Sequence, residues 1–207
     1  MPYGYLGQNQ PNQTVSNSGV FSITDVAELQ SQGKLGGSLE LIDTQIPNGS
    51  TTTIEFTNLQ ESKYDVHLFQ WSNIEWTTAG DTVRVRVSND NGSTYESGSV
   101  YDTAYQSCGT TGSFSEVTRL NYDSLDRIMQ NVQNTPYSGY MYMYNAGNSS
   151  KYTFFNLHAY FANAFRFGGG VYKTAETINA LKFYNGTYNF LNQGFIKLYG
   201  VKQIWVT

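Results

Sequence analysis

The segment Thr82 to Ser88 reads Thr-Val-Arg-Val-Arg-Val-Ser, and this strict period of two constrains the chain more than any other feature. Val83, Val85 and Val87 fall on one face of an extended strand, and Arg84 and Arg86 fall on the other. Asn89-Asp90-Asn91-Gly92 follows and supplies the positive φ angles of a tight turn, with Ser93 to Tyr95 read as the returning segment. The same alternation marks Leu39 and Leu41, then Ile54 and Phe56. Tyr64 to Trp71 is apolar on both faces, as in a central strand covered on both sides.

Further strands are expected at Gly139–Tyr144, Tyr152–His158, Tyr160–Phe167, Thr177–Tyr184, Gly194–Tyr199 and Gln203–Val206. Asn145-Ala146-Gly147-Asn148, Gly168-Gly169-Gly170, Asn185-Gly186 and Asn192-Gln193-Gly194 read as the turns between them. About nine or ten strands with short polar turns predict a mainly β chain, an antiparallel β-sandwich or jelly-roll-like body over residues 37–207. One long loop, Tyr101 to Pro136, is expected to interrupt it, and loops of that length are usually functional or interfacial.

Ahead of the body, Ser22 to Gln32 carries a capping-box-like Ser22 and Asp25, apolar Ile23, Val26 and Leu29, and Gly33 as a C-terminal stop. It predicts a short helix within a linker at 20–36. Residues 1–19 have too few apolar side chains for a core, yet Tyr3, Tyr5 and Leu6 cluster there. The pattern predicts an extended arm that docks on a neighbouring subunit, or else a frayed terminus.

A chain of 207 residues is one domain of ordinary size, large enough to bury a core without disulfide or metal. The formal charge of −4 argues against a phosphate-backbone ligand, so no nucleic acid is expected. Cys108 is the single cysteine and no CxxC pair exists; it reads as a small buried hydrophobe. No run approaches the length of a membrane helix. The first residues lack a charged and apolar leader, so the mature chain is expected to begin there.

Catalytic signals are weak. His67 and His158 sit in separate strands with no nucleophile elbow or cysteine nearby. Gly168 to Gly170 lacks the spacing of a phosphate loop. Sixteen acidic residues make some carboxylate pair inevitable, so paired acids carry no information. No cofactor, metal or catalytic residue is assigned, and the chain is expected not to be an enzyme.

The strongest positive signal is Tyr137 to Tyr144. On a strand, Tyr140, Tyr142 and Tyr144 share one face and Met141 and Met143 the other. Three readings stand: a second core layer, a subunit interface, where Tyr is enriched, or a sugar-stacking platform. Trp71 and Trp76 are further candidates for such a platform. Aromatics at 15% against charged residues at 14% suit a surface meant to be desolvated.

Three blocks resemble structural proteins of tailed bacteriophages, in particular marine and cyanobacterial ones. They are Pro2-Tyr3-Gly4-Tyr5-Leu6-Gly7, similar to the attachment arms of tail fibres; Val87-Ser88-Asn89-Asp90-Asn91-Gly92-Ser93-Thr94-Tyr95 after the Ile54-Glu55-Phe56-Thr57 strand; and Phe167-Gly168-Gly169-Gly170 with Ile178–Tyr184 and Gly194-Phe195-Ile196-Lys197-Leu198-Tyr199-Gly200-Val201. The resemblance implies a non-enzymatic virion protein in a tail fibre, appendage, adaptor or capsid decoration, with other virion proteins as partners. It also implies a homo-oligomer, a trimer by analogy, and host attachment through a surface glycan as an alternative role. The chain has neither the long shaft nor the coiled-coil repeat usual in fibres.

Overall fold

The computed structural model describes residues 23–24, 27–28, 38–78, 81–130, 135–161 and 164–202. By compactness the chain divides into Met1–Glu40 and Leu41–Thr207. In the first unit Ile23, Thr24, Ala27 and Glu28 are helical, inside the predicted helix. The arm at 1–19 and the strand predicted at Gln203–Val206 lie outside the described residues.

The described strands are β1 (Leu39–Gln45), β2 (Thr53–Phe56), β3 (Val66–Ile74), β4 (Thr82–Ser88), β5 (Tyr101–Gly109), β6 (Phe114–Tyr122), β7 (Leu125–Gln130), β8 (Tyr137–Tyr144), β9 (Thr153–Phe161), β10 (Ala164–Tyr172), β11 (Ala180–Asn185) and β12 (Phe195–Val201). Eight form a large sheet in the order β1-β12-β3-β8-β9-β10-β5-β6, and four form a small sheet, β2-β11-β4-β7. The neighbours with a described register pair antiparallel.

The two sheets make a sandwich because their facing sides share one apolar core. Val83, Val85 and Val87 of β4 are fully buried there, as their alternation with arginine predicts. Phe183 of β11 meets Phe69 and Trp71 of β3 edge-on at 5.7 and 6.0 Å, and Phe56 of β2 meets Phe69 at 5.4 Å. Aromatic pairs prefer this geometry, which stabilises the contact beyond its buried area. Met141 and Met143 of β8 are fully buried beside them. Gly139 faces the same layer because any Cβ there would lie 2.9 Å from the Trp71 ring.

Three expectations need correction. The predicted loop from Tyr101 to Pro136 holds β5, β6 and β7. β6 is an edge strand with almost no buried position, so its sequence shows no apolar alternation. β5 buries Thr103 and Ser107 as well as Tyr101 and Tyr105, which blurs its period. Second, Gly168-Gly169-Gly170 is the interior of β10 and not a bend. A Cβ at Gly169 would strike the Phe155 carbonyl at 2.2 Å, so the glycines permit close strand approach. Third, Ser93 to Tyr95 forms no strand. The Asp90 carboxylate instead accepts hydrogen bonds from the Ser88 and Thr94 hydroxyls, both at 2.7 Å, and fixes a compact turn. Asn91 and Gly92 take the predicted positive φ angles there.

Candidate functional site: the open face of the large sheet

The side of the large sheet turned away from the core has a composition unlike the rest of the molecule. In β8 burial alternates strictly, with Tyr137, Gly139, Met141 and Met143 inward and Ser138, Tyr140, Tyr142 and Tyr144 outward and half-buried. β9 repeats the pattern and turns out Phe154, Asn156, His158 and Tyr160. Register then assembles rows across the strands. Gln70, Tyr140, His158, Phe167 and Gln106 lie opposite one another from β3 to β5. The next row runs through Leu68, Tyr142, Asn156, Gly169 and Ala104. Tyr160 faces Phe165 in a third, which continues to Cys108 and Phe114. Cys108 is therefore half-buried on the outer side and not a core residue.

On β3, β8, β9 and β10 this face carries no Asp, Glu, Lys or Arg. Phe154, Tyr160 and Phe165 are 48%, 47% and 43% exposed. The rings form a continuous chain. Tyr140 stacks on His158 at 5.1 Å with planes 9° apart, and Tyr142 stacks on Tyr144 at 6.1 Å. His158 leads to Phe167 at 6.3 Å, and Phe167 stacks on Phe165 at 6.2 Å. Rings turned face to face present their rims, not their faces, to the outside. Desolvation, then the neighbouring Tyr160, Tyr142 and Tyr144 hydroxyls, push the Tyr140 phenol above its usual range, so it stays neutral at biological pH.

The residues singled out from the sequence divide. Tyr140, Tyr142 and Tyr144 come together on the open face. Trp71 and Trp76 do not: they are 1% and 5% exposed, one under Phe183 and the other stacked on Tyr137 at 4.8 Å. A binding platform cannot use either ring, and their indoles serve the core. Tyr3, Tyr5 and Leu6 lie outside the described residues. The sequence reading missed Phe154, His158, Tyr160, Phe165 and Phe167. Their period-two spacing was visible, but only strand register shows that they extend the tyrosine stripe.

His67 and His158 have different surroundings. His67 is fully buried in β3, where its Nε2 donates to the Leu59 carbonyl at 2.7 Å. Burial pulls its pKa below 6.5, against smaller opposing effects from that hydrogen bond and from Glu61 and Asp65. His158 stands on the open face, far from it in the sheet. Among the described residues no three His, Cys, Asp or Glu side chains gather as metal ligands would. Comparison with protein-family models, curated proteins and solved structures gave no match.

Proposed function

We propose that this chain is a non-enzymatic structural protein of a tailed-phage-type virion, a fibre, appendage or capsid-surface component. In this reading the open face of its large sheet docks on another protein of the particle. The uncharged ring chain on that face carries the reading. The four central strands present on the order of 500 Å² at normal strand spacing, already near the largest apolar patch of a typical monomer. The full sheet face amounts to roughly 900 Å², close to the ~800 Å² per partner of a stable protein interface. Tyr and Phe add contact area at low entropy cost, and the absence of charge on the four central strands lowers the desolvation cost of burying them, with Lys197, Asp102 and Glu116 only on the flanking strands. The resemblance of the arm and hairpin blocks to phage structural proteins supplies the setting.

Attachment to a host glycan is the second reading, supported by the amides of Gln70, Asn156 and Gln106 beside the rings. It is the weaker one, because Tyr140 turns a flat side to His158, Tyr142 to Tyr144 and Phe167 to Phe165, which leaves less ring face for a sugar to stack on. Phe165→Asp and Tyr142→Asp test the reading, since each places a carboxylate in the centre of the docking surface. Both variants should remain folded by circular dichroism and lose incorporation into particles when supplied to assembling virions. Incorporation at the wild-type level would defeat the proposal, and saturable retention on host polysaccharide would transfer the face to the glycan reading.

A further inference from the structure

All five arginines of the chain, Arg84, Arg86, Arg119, Arg127 and Arg166, sit along one seam, although its formal charge is negative. The seam lies where β7, the edge of the small sheet, meets β5 and β6 of the large one. At its centre is Asp126, whose side chain is only 4% exposed. Three guanidinium groups converge on this carboxylate, all through Nε: Arg84 at 3.1 Å, Arg119 at 3.3 Å and Arg127 at 3.5 Å. Asp81 takes a second contact from Arg84 at 3.2 Å. Arg166, itself buried, donates to the Arg127 carbonyl and to the Ser107 hydroxyl. Among the described residues Arg84, Arg119 and Arg127 therefore share the two carboxylates of Asp81 and Asp126, an excess of one positive charge.

The excess points outward. The side chains of Arg84, Arg119 and Arg127 are 25%, 34% and 33% exposed above a carboxylate that is nearly inaccessible. Beyond these Nε contacts, one terminal nitrogen of Arg84 is held by Asp81 and one of Arg119 donates to the Thr118 carbonyl at 3.0 Å, which leaves the other terminal nitrogens to meet a ligand. Those of Arg127 have no partner among the described residues. Arg127 also holds φ at +57°, a conformation uncommon outside glycine, which sets its guanidinium on Asp126 while its carbonyl receives Arg166. Arginine forks match the geometry of planar and tetrahedral oxyanions and hold them with charge-assisted hydrogen bonds. Partly desolvated like charges repel until a counter-charge joins them.

We propose that the surface above Asp126 is an oxyanion-binding site, which takes a sulfate, phosphate or carboxylate group on Arg84, Arg119 and Arg127. This inference uses none of the residues of the aromatic face and stands or falls separately from the docking reading.

With five arginines, the full chain gives five Nε–Hε signals by nuclear magnetic resonance. Sodium sulfate is titrated in at an ionic strength held constant with sodium chloride, because sulfate also stabilises proteins generally by exclusion from their surface. The signals of Arg84, Arg119 and Arg127 should shift saturably, and that of Arg86, paired with Asp123, should not. Arg127→Gln should weaken the apparent affinity at least tenfold. A fully sulfated disaccharide run in parallel identifies the source: at least tenfold tighter binding than sulfate means an anion carried on a sugar chain, and equal binding means a free ion. Shifts that grow linearly and equally at all five arginines would overturn the site, as would unchanged saturation in Arg127→Gln. The wild-type titration decides even if that variant does not fold.

Discussion

The two outer faces of this sandwich are built from the same alternating strands yet meet solvent in opposite ways. On the small sheet, β2, β11 and β4 set Glu55, Lys182 and Arg86 side by side, and the next row holds Tyr184 and Arg84. Asp123 and Asp126 close those rows through Arg86 and Arg84. On the large sheet, the four central strands hold rings, amides and small side chains with no formal charge. A face of paired charges stays hydrated and resists adhesion, whereas an uncharged ring surface gains from being covered. The docking proposal rests on this difference, since one side suits solvent and the other gains from being covered.

The largest expected effect breaks the charged side at its centre. Asp126→Ala leaves three guanidinium groups without their shared carboxylate, and losing one partner of a buried ion cluster typically costs about 3–5 kcal/mol. Urea unfolding of the variant should show that loss. A cost below about 1 kcal/mol would mean that water already carries these arginines, and the two faces would then differ less than their sequences suggest.

The core between the faces gives the next effect. His67 has a folded-state pKa below its unfolded value of 6.5. Above pH 6.5 it is neutral in both states and its contribution is constant. As pH falls below 6.5 the unfolded chain takes up a proton that the folded chain refuses, so stability declines. The slope approaches about 1.4 kcal/mol per pH unit until the folded pKa is reached. His67→Gln should flatten the profile of unfolding free energy between pH 6.5 and 5, and an unchanged slope would assign it to other groups.

How far the sequence could be read follows from the same contrast. Where a strand has one apolar and one polar side, as in Val83-Arg84-Val85-Arg86-Val87, period two reveals both strand and orientation. The Tyr–Met alternation of β8 likewise marked the stripe that became the centre of the open face. The reading failed where burial does not follow polarity. β6 is a nearly uncovered edge, β5 turns Thr103 and Ser107 inward, and the β10 glycines look like a turn because they have no side chains to pattern. Trp71 and Trp76 were unreadable in another sense, since a large aromatic residue suits a platform and a core equally well. Only the packing against Phe183 and Tyr137 decides between them. The Asp126 cluster was invisible because its members come from β4, β6 and β7.

Smaller effects sharpen the aromatic side. Phe154 is about half exposed and opposite Val171, so Phe154→Ser should change the unfolding free energy of the isolated chain by less than about 1 kcal/mol. A penalty near 3 kcal/mol would show that the ring supports the fold, and would make the open face a second core layer and not a docking surface.

The smallest expected effect lies on the charged face. Lys182 sits between Glu55 and Arg86, with its ammonium 4.2 Å from the centre of the Tyr95 ring and 5.6 Å from that of Tyr184. Desolvation pulls its pKa down, Glu55 opposes the shift and Arg86 adds to it. Lys182→Met removes the ion–ring contact and the attraction to Glu55, but it also removes the repulsion from Arg86 and keeps an apolar stem on Tyr95. Exposed ion pairs contribute roughly 0–1 kcal/mol and exposed ion–ring contacts about 0.5–1 kcal/mol. With one repulsion relieved, the net change should stay within about 0.5 kcal/mol in thermal or urea unfolding. A loss well beyond that would mean that the row from Glu55 to Asp123 acts as one cooperative network, as the Asp126 cluster does. The division between the faces would then rest on linked charges and not on independent pairs.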